Sequence, residues 1–397
     1  MTFAVVRCVS ISLLLLIPSA LPLRAQQAAQ KAEIDVILPL TGTFSFIGKQ
    51  EQSALQVGEQ VINKAGGVRG RPVSFNYFDD QSNPQFAVQI TRQIMAKKPS
   101  VLLGTSVTAS CNAMLPLLRT GPVTYCFSPG IHPPAGSYMF SGSLSTRDAQ
   151  SAMIRYARLR GWTRIAIITS TDATGQDGEQ GLEEAMKNPE NKDIVMVERT
   201  RFNLADLSVA AQIERIKAAR PNIVIVWTVG TPFATVLKGL VQGGVDLPIA
   251  TSPGNMTYAQ MRQYADFLPK ELYMPSPQWP LELAGVVLDP EVVKAKKIFF
   301  DGLAAANVEA DSAATLSWDP MLIFIDALRA QGLDASAEKV HQHIMGLKKF
   351  AGINGLYDFE KVPQRGLGSD SAVVTRWRPE LKTWQIVSQP TGIPVKE

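Results

Sequence analysis

Three kinds of residue in this 397-residue sequence could do chemistry: a serine in a turn rich in glycine and threonine, a few histidines, and two adjacent aspartates. The segment Gly104–Thr108 resembles the turn that presents a nucleophilic serine, with Ser106 at its centre. Thr108, however, stands where such a turn needs a second glycine for close backbone approach. A hydrolase would also need a base, for which His132 is the candidate.

The other candidates for catalysis or cofactor binding have weak patterns. His341 and His343 are two positions apart on a predicted helix, so their rings point to different faces and do not form a metal site. Asp79 and Asp80 end a strand in a polar turn, where a solvated pair is expected rather than an acid and a base. The glycines of 42–50 are separated by five residues, not by the four of a phosphate loop. The sequence therefore predicts neither an enzyme nor a metal or other cofactor.

The composition and the first 25 residues indicate the class of protein and the cellular compartment in which it works. The chain is 46% hydrophobic and 19% charged with a net charge of +4, which is typical of a globular protein. It has no basic run dense enough to follow a phosphate backbone, so nucleic acid is not an expected partner. Residues 1–25 combine Arg7, the apolar stretch 9–17 and a terminal Ala25, which predicts a secretory signal peptide. Because a bilayer span needs ~20 apolar residues, we expect a periplasmic protein that does not span the membrane.

Two cysteines, Cys111 and Cys126, remain after the predicted signal peptide, which contains Cys8. An even number suits a disulfide in an oxidising compartment. A bond between them would close a loop of about 15 residues and contribute roughly 3 kcal/mol of stability on a chain-entropy model. The alternative is two buried free thiols, and the sequence leaves both open.

Short β-rich runs alternate along the chain with stretches of helical period. The first strand is predicted at 34–38, followed by a helix over 49–65 in which Ala54, Gly58 and Ile62 share one face. Strands separated by such helices pair in parallel, with helices on both faces of the sheet. The pattern pauses at 141–147 and then repeats. The sequence therefore predicts an α/β protein of two doubly wound, parallel-sheet lobes.

Three crossings of the chain between the lobes are expected. They fall at the pause already noted, in the Pro-rich stretch 272–280 and near 352–355. In open parallel sheets a ligand binds beyond the carboxyl ends of the strands, which points to the loops that enter the helices. These loops are rich in Gly, Ser and Thr, which suits a polar or anionic ligand. The expected boundaries are 32–145 with 279–351 for lobe 1, and 146–278 with 352–391 for lobe 2.

Several stretches resemble the type I periplasmic binding proteins of the branched-chain amino acid (leucine/isoleucine/valine-binding) family. They are 38–42, 62–71, 79–84, 125–129 and 318–320, and the resemblance covers essentially the whole mature chain. It implies a Venus-flytrap fold, in which three hinge crossovers let two lobes close on a small-molecule ligand. It also implies a monomer that delivers the ligand to an inner-membrane ABC permease.

The ligand positions of that family carry over unevenly. Thr108 stands where a hydroxyl binds the ligand carboxylate, Gly130 where a backbone group does, and His132 where the family has a threonine. Gly254 stands where amino-acid binders carry the acid that holds the ammonium. Because a buried ammonium without a counter-charge is costly, we expect a small organic acid, aromatic carboxylates included. The predicted ligand-binding residues are Phe44, Phe46, Ile47, Ser106, Val107, Thr108, Gly130, Ile131, His132, Thr174, Trp227, Thr231, Gly254 and Asn255.

Apolar surface in this set is expected from Phe44, Phe46 and Trp227, which could stack on an aromatic ligand. Three alternatives remain at this stage. The same fold could bind an amino acid or amide, it could serve a signalling receptor rather than an importer, or Ser106 and His132 could belong to a secreted hydrolase.

Overall fold

The computed structural model describes residues 1–4, 31–280 and 288–395. The predicted signal peptide therefore lies outside the described residues from position 5 to its end. Strands and helices alternate over most of the described chain, as the sequence predicts. The strands are β1 (Ala32–Leu38), β2 (Val73–Asp79), β3 (Val101–Gly104), β4 (Val123–Cys126), β5 (Met139–Ser141), β6 (Arg164–Ser170), β7 (Val195–Phe202), β8 (Ile223–Trp227), β9 (Ile249–Thr251), β10 (Leu272–Ser276), β11 (Lys348–Gly352), β12 (Gly355–Asp358), β13 (Val373–Arg378) and β14 (Thr383–Ile386).

Most helices of the described chain begin after polar residues whose side chains accept hydrogen bonds from the first free backbone N–H groups. Ser145 accepts from the N–H of Asp148, and Asp311 accepts from the N–H of Ala314. The helices are α1 (Ser45–Lys64), α2 (Pro84–Ala96), α3 (Thr108–Met114), α4 (Thr146–Leu159), α5 (Ala173–Met186), α6 (Ala210–Ala219), α7 (Thr231–Gln242), α8 (Tyr258–Gln263), α9 (Pro290–Ala305), α10 (Ser312–Gln331) and α11 (Ala337–Met345).

Lobe 1 is built on a five-stranded parallel sheet in the order β2-β1-β3-β4-β5. Helices α1, α9, α10 and α11 pack on one face and α2 and α3 on the other. Gly58 of α1 lets α10 approach closely, because a Cβ atom there would lie 2.2 Å from the Met321 side chain. The apolar face predicted for α1 is therefore covered by a helix from the last third of the chain.

Lobe 2 is built on a seven-stranded sheet in the order β14-β13-β10-β9-β8-β6-β7. The five strands from β10 to β7 are parallel, whereas β13 and β14 add an antiparallel edge. Helices α4 and α5 cover one face, and α6, α7 and α8 cover the other. The α/β fold of two doubly wound lobes is thus confirmed, with the antiparallel pair as an addition.

The chain crosses between the lobes three times. The first crossover is 142–145, between β5 and α4, and the second lies between β10 and α9 and contains residues outside the described part. The first crossover contacts the segment that precedes the third, since Arg365 donates to the carbonyls of Gly142 at 3.3 Å and Ser143 at 3.2 Å.

The third crossover lies later than residue 352, where the sequence pattern places it. Ile353, Tyr357 and Leu367 are buried in the lobe 1 core, so the hairpin β11–β12 belongs to lobe 1. The chain reaches lobe 2 only at β13, which pairs with β10. The expected boundary between 351 and 352 is therefore wrong, because apolar side chains of the hairpin face the first core.

Local differences from the predicted elements have simple causes. The sequence predicts a helix near 109–119, but α3 ends at Met114 and the chain continues as a 3-10 turn at 115–117, since Pro116 has no N–H to donate to the preceding turn. The three-residue β5 was not predicted. Of the helices in the described chain, none is both long and apolar enough to cross a membrane.

Candidate ligand-binding site

A narrow cleft lies between the lobes, at the carboxyl ends of strands from both sheets. The space inside it that the centre of a water-sized sphere can reach is about 40 Å³. Lobe 1 contributes the loops after β3 and β4, and lobe 2 contributes those after β6, β8 and β9. The lining residues are Ile47, Ser106, Thr108, Ser128, Pro129, Gly130, Ser143, Thr146, Thr174, Trp227, Val229, Ser252, Pro253, Gly254, Ser312 and Leu316.

The structure brings half of the predicted ligand residues together in this cleft and places the other half outside its lining. The residues in the lining are Ile47, Ser106, Thr108, Gly130, Thr174, Trp227 and Gly254. Those outside it are Phe44, Phe46, Val107, Ile131, His132, Thr231 and Asn255.

The residues outside the lining have other surroundings. Phe44, Val107 and Ile131 are buried in the lobe 1 core. The fully buried Asn255 holds the loops of lobe 2, since its Nδ2 donates to the Thr228 carbonyl at 2.8 Å. Phe46 is partly buried, and Thr231 is exposed at the start of α7.

Hydroxyl groups at helix starts converge on the cleft. Thr108, Thr146 and Ser312 are the first residues of α3, α4 and α10, and Thr174 is the second residue of α5. Helix N-termini carry partial positive charge and unpaired N–H groups, which favour a negatively charged ligand. The charge at this wall of the cleft therefore comes from backbone dipoles, since no charged side chain belongs to the described lining.

The hydroxyls bond to one another across the cleft. Thr108 Oγ1 lies 2.7 Å from Ser128 Oγ and 3.2 Å from Thr174 Oγ1, which belongs to the opposite lobe. Ser128 Oγ also accepts from the N–H of Gly130 at 3.2 Å. Hydroxyl hydrogens rotate freely, so these groups can turn from each other to a ligand.

A side-chain hydrogen bond joins the lobes beside this network. His132 Nε2 of lobe 1 lies 2.7 Å from Asp177 Oδ1 of α5 in lobe 2. Asp177 is 8% exposed, and its Oδ2 has no hydrogen-bond partner among the described residues. That oxygen is close to the cleft wall, since a Cβ atom on Gly130 would lie 3.2 Å from it. The lobes are thus in direct contact, with one carboxylate at the margin of the cleft.

A second carboxyl group lies directly behind the lining. Glu51 of α1 is fully buried, and its Oε2 is 3.0 Å from the Oγ of Ser106. Burial, with Asp80 and Asp311 nearby, raises the pKa of Glu51 to about 8, although the Ser106 bond opposes the rise. Glu51 is therefore mainly a neutral acid at pH 7.

Arg365 fixes the loop that carries Gly130. Its guanidinium is 6% exposed and donates to the carbonyls of Pro129 at 3.3 Å, Ile131 at 2.6 Å, Gly142 at 3.3 Å and Ser143 at 3.2 Å. Burial lowers the pKa of Arg365 to about 10, which leaves it charged at neutral pH. One side chain thus ties the ligand loop to the first crossover.

The apolar walls of the cleft are Ile47, Val229, Leu316 and Trp227. Trp227 ends β8 and packs on α5 because Gly178 leaves space for its indole, where a Cβ atom would lie 2.0 Å from the ring. Its indole is 2% exposed, so it forms a fixed wall rather than a mobile lid.

The catalytic alternatives are not supported by contacts. Ser106 bonds to Glu51 and His132 to Asp177, so the two do not form a nucleophile and base pair. Across the described residues there is no group of three or more His, Cys, Asp or Glu side chains that could hold a metal ion. Cys111 and Cys126 form a disulfide, which joins α3 to β4 directly behind Thr108 and Ser128.

Sequence reasoning missed several residues at the site. Ser143 lies on the first crossover and Thr146 begins α4 directly after it, whereas Ser312 and Leu316 come from α10, far along the chain from the other loops. Asp311 before Ser312 is a signal for a helix start, which could have placed Ser312 at a helix N-terminus.

Comparisons with known proteins agree with this architecture. The family model described as periplasmic binding protein matches residues 32–380, so the chain belongs to that family, which consists of binding proteins and not of enzymes. Leu/Ile/Val-binding protein homolog 3 of Brucella melitensis is 27% identical over 207 residues, which are 50% of this chain and 55% of that protein. BraC3, a Leu/Ile/Val-binding protein of Rhizobium johnstonii, is 25% identical over 198 residues, or 48% and 53% of the two chains. The chain thus spans about half the length of the curated relatives it matches.

Solved structures share the fold. An extracellular ligand-binding receptor from Rhodopseudomonas palustris HaA2 superposes with a TM-score of 0.78 at 19% identity and covers 89% of this chain and 99% of its own. The branched-chain amino acid binding protein LivJ of Streptococcus pneumoniae, solved with isoleucine, gives a TM-score of 0.73 at 16% identity, with 90% and 99% covered. At these identities the likeness shows the fold alone.

Proposed function

We propose that this protein captures a small organic anion without an amine in the cleft between its lobes. The observation that carries the proposal is the composition of the described lining. Hydroxyl residues stand at four helix starts in it, and none of its side chains is charged. A carboxylate fits this arrangement, with Thr108 and the N–H of Gly130 as donors. The indole of Trp227 and the side chain of Leu316 suit an aromatic or branched apolar body.

The experiment compares acids that differ only in the amine. Calorimetry with 3-phenylpropanoate and phenylalanine, and with 4-methylpentanoate and leucine, isolates that group. Because burial of an unpaired ammonium costs several kcal/mol, we expect each deaminated acid to bind at least about 30-fold more tightly than its amino acid. Tighter binding of leucine or phenylalanine would contradict the proposal.

A variant pair locates the site. Thr108→Val removes a hydroxyl from the cleft and keeps the shape, and we expect about a ten-fold loss of affinity for 3-phenylpropanoate. Thr120→Val makes the same change at an exposed position and serves as the control. Equal affinities for the two variants would place the ligand elsewhere.

A second candidate is an amino acid, favoured by Asp177 Oδ2, which has no partner among the described residues, and by the similarity to Leu/Ile/Val-binding proteins. In that case the ammonium would lie on Asp177, and Asp177→Asn would abolish leucine binding. Under the organic-anion proposal the same variant changes anion binding only a few-fold, because His132 can still bond to the amide.

We further propose a periplasmic location after removal of the signal peptide, and delivery of the ligand to an inner-membrane ABC permease. The family to which the chain belongs supports the first point. Docking on a signalling receptor is the rival to the permease. Uptake of radiolabelled 3-phenylpropanoate by cells, lost on deletion of the gene, would support import, whereas unchanged uptake with a lost transcriptional response would support signalling.

A further inference from the structure

Glu51 is a fully buried titratable group directly behind the cleft lining, and the proposed mode of binding does not use it. Its side chain is fully buried on α1, behind Ser106. One carboxyl oxygen, Oε2, has Ser106 Oγ as its partner at 3.0 Å, while Oε1 has no partner among the described residues. A single hydroxyl bond does not compensate a buried carboxylate, which needs several donors.

A neutral carboxylic acid suits the same surroundings. Its O–H can donate to Ser106 Oγ, and its remaining carbonyl oxygen is a group that proteins sometimes leave without a partner. The groups facing it favour the same state, since Asp80 after β2 and Asp311 at the start of α10 are both acidic. The pKa of about 8 points the same way.

The direction of the Ser106 hydroxyl depends on this proton. When Glu51 is protonated, its O–H donates to Ser106 Oγ, and the Ser106 hydrogen is free to donate into the cleft. When Glu51 is ionised, Ser106 must donate to Glu51 and offers only lone pairs to the cleft. The first state therefore offers an anion a hydrogen-bond donor, and the second offers it only lone pairs.

We propose that Glu51 is a specificity-determining residue that acts through Ser106, holding this hydroxyl as a donor to an anionic ligand and releasing the anion when Glu51 loses its proton. This inference rests on the proposed function, because it assumes an anion in the cleft.

The test measures the affinity for 3-phenylpropanoate by calorimetry between pH 6 and 9.5. This probe keeps its charge throughout, so changes in affinity come from the protein. Because only the protonated fraction binds, we expect wild-type affinity to fall about ten-fold for each pH unit above the Glu51 pKa. Glu51→Gln, whose amide donates to Ser106 at every pH, should keep the affinity and lose the pH dependence.

Two further variants complete the design. Ser106→Ala should bind 3-phenylpropanoate more weakly and without the fall in affinity at alkaline pH, because Glu51 acts on the ligand through the Ser106 hydroxyl. Glu338→Gln makes the same chemical change at an exposed position of α11 and should behave as wild type. Lys296, whose pKa burial lowers to about 8, titrates in the same window, and the flat profile of Glu51→Gln separates the two groups.

Failures of the two proposals look different. If wild type binds 3-phenylpropanoate at no pH, the organic-anion function is wrong. If it binds but Glu51→Gln shows the same alkaline fall, or wild type shows none, the role of Glu51 is wrong. Should Glu51→Gln not fold, infrared difference spectra of wild type between pH 7 and 9.5 decide the matter. Loss of a protonated carboxyl band supports the proposal, provided that Ser106→Ala shifts that band, and an unchanged band overturns it.

Discussion

Arg365→Met tests whether the loop at Gly130 is held in place by one buried guanidinium. The substitution keeps an unbranched side chain of similar length and removes every donor. The Pro129 carbonyl retains the N–H of Thr146 at 3.3 Å, so the carbonyls of Ile131, Gly142 and Ser143 are the ones that lose a donor. The substitution thus removes the hydrogen bonds from this side chain to the backbone together with one buried positive charge.

The magnitude follows from those three carbonyls. A buried acceptor left without its donor costs about 1–3 kcal/mol, so the gross loss is about 3–9 kcal/mol. Removal of a buried charge, whose cost is evident in the lowered pKa of Arg365, offsets a large part of this. We therefore expect the free energy of unfolding to fall by about 3 kcal/mol, and affinity for 3-phenylpropanoate to fall because the Gly130 N–H is no longer fixed.

Urea unfolding followed by tryptophan fluorescence measures the first effect, and calorimetry measures the second. Arg164→Met is the matched control, since Arg164 also donates to two carbonyls, those of Arg220 and Ala219, but at an exposed position. We expect the control to lose less than about 1 kcal/mol. If both variants unfold at the same urea concentration, the buried Arg365 guanidinium contributes no more to stability than the exposed Arg164, and the reasoning is refuted.

Two further predictions concern the frame around the cleft. Replacing Cys111 and Cys126 with serine opens a loop of 15 residues and should lower the free energy of unfolding by about 3 kcal/mol; equal urea midpoints with and without reductant in wild type would speak against a structural bond. His132→Ala removes the bond to Asp177 that joins the lobes, and we expect about a ten-fold weaker affinity for 3-phenylpropanoate together with a larger radius of gyration in X-ray scattering of the saturated protein. Unchanged affinity and radius would show that this pair does not hold the lobes together.

Most of the fold could be predicted from the spacing of apolar residues along the sequence. Ala54, Gly58 and Ile62 lie on the buried face of α1, as their spacing predicts, and β1 includes the predicted strand 34–38. The hairpin β11–β12 was misassigned because an extended pattern shows that a strand exists but not which sheet or core it joins. Leu356 and Tyr357 alternate between exposed and buried positions, and only tertiary packing puts Tyr357 in lobe 1.

The ligand-binding site could be predicted from the sequence less completely than the fold. Loops after strands could be identified from the topology rule, and the family resemblance singled out Thr108, Thr174 and Gly254 within them. Ser312 could not be found that way, since α10 reaches the cleft only through its packing on α1. Glu51 was missed because a charge within an amphipathic helix is usually solvated, although its spacing from Ala54 puts it on the buried face.

The packing of α10 against α1 also has a consequence during synthesis of the chain. Lobe 1 is made of two distant stretches, so a nascent chain that ends before Ser312 leaves part of one face of its sheet and the groove at Gly58 uncovered. Because N-terminal segments leave the ribosome first, this incomplete layer stays exposed until residues 142–311 have also been made. We expect a chaperone to bind such an intermediate before the chain is complete. A truncated chain that lacks α10 would expose this apolar surface permanently and should aggregate.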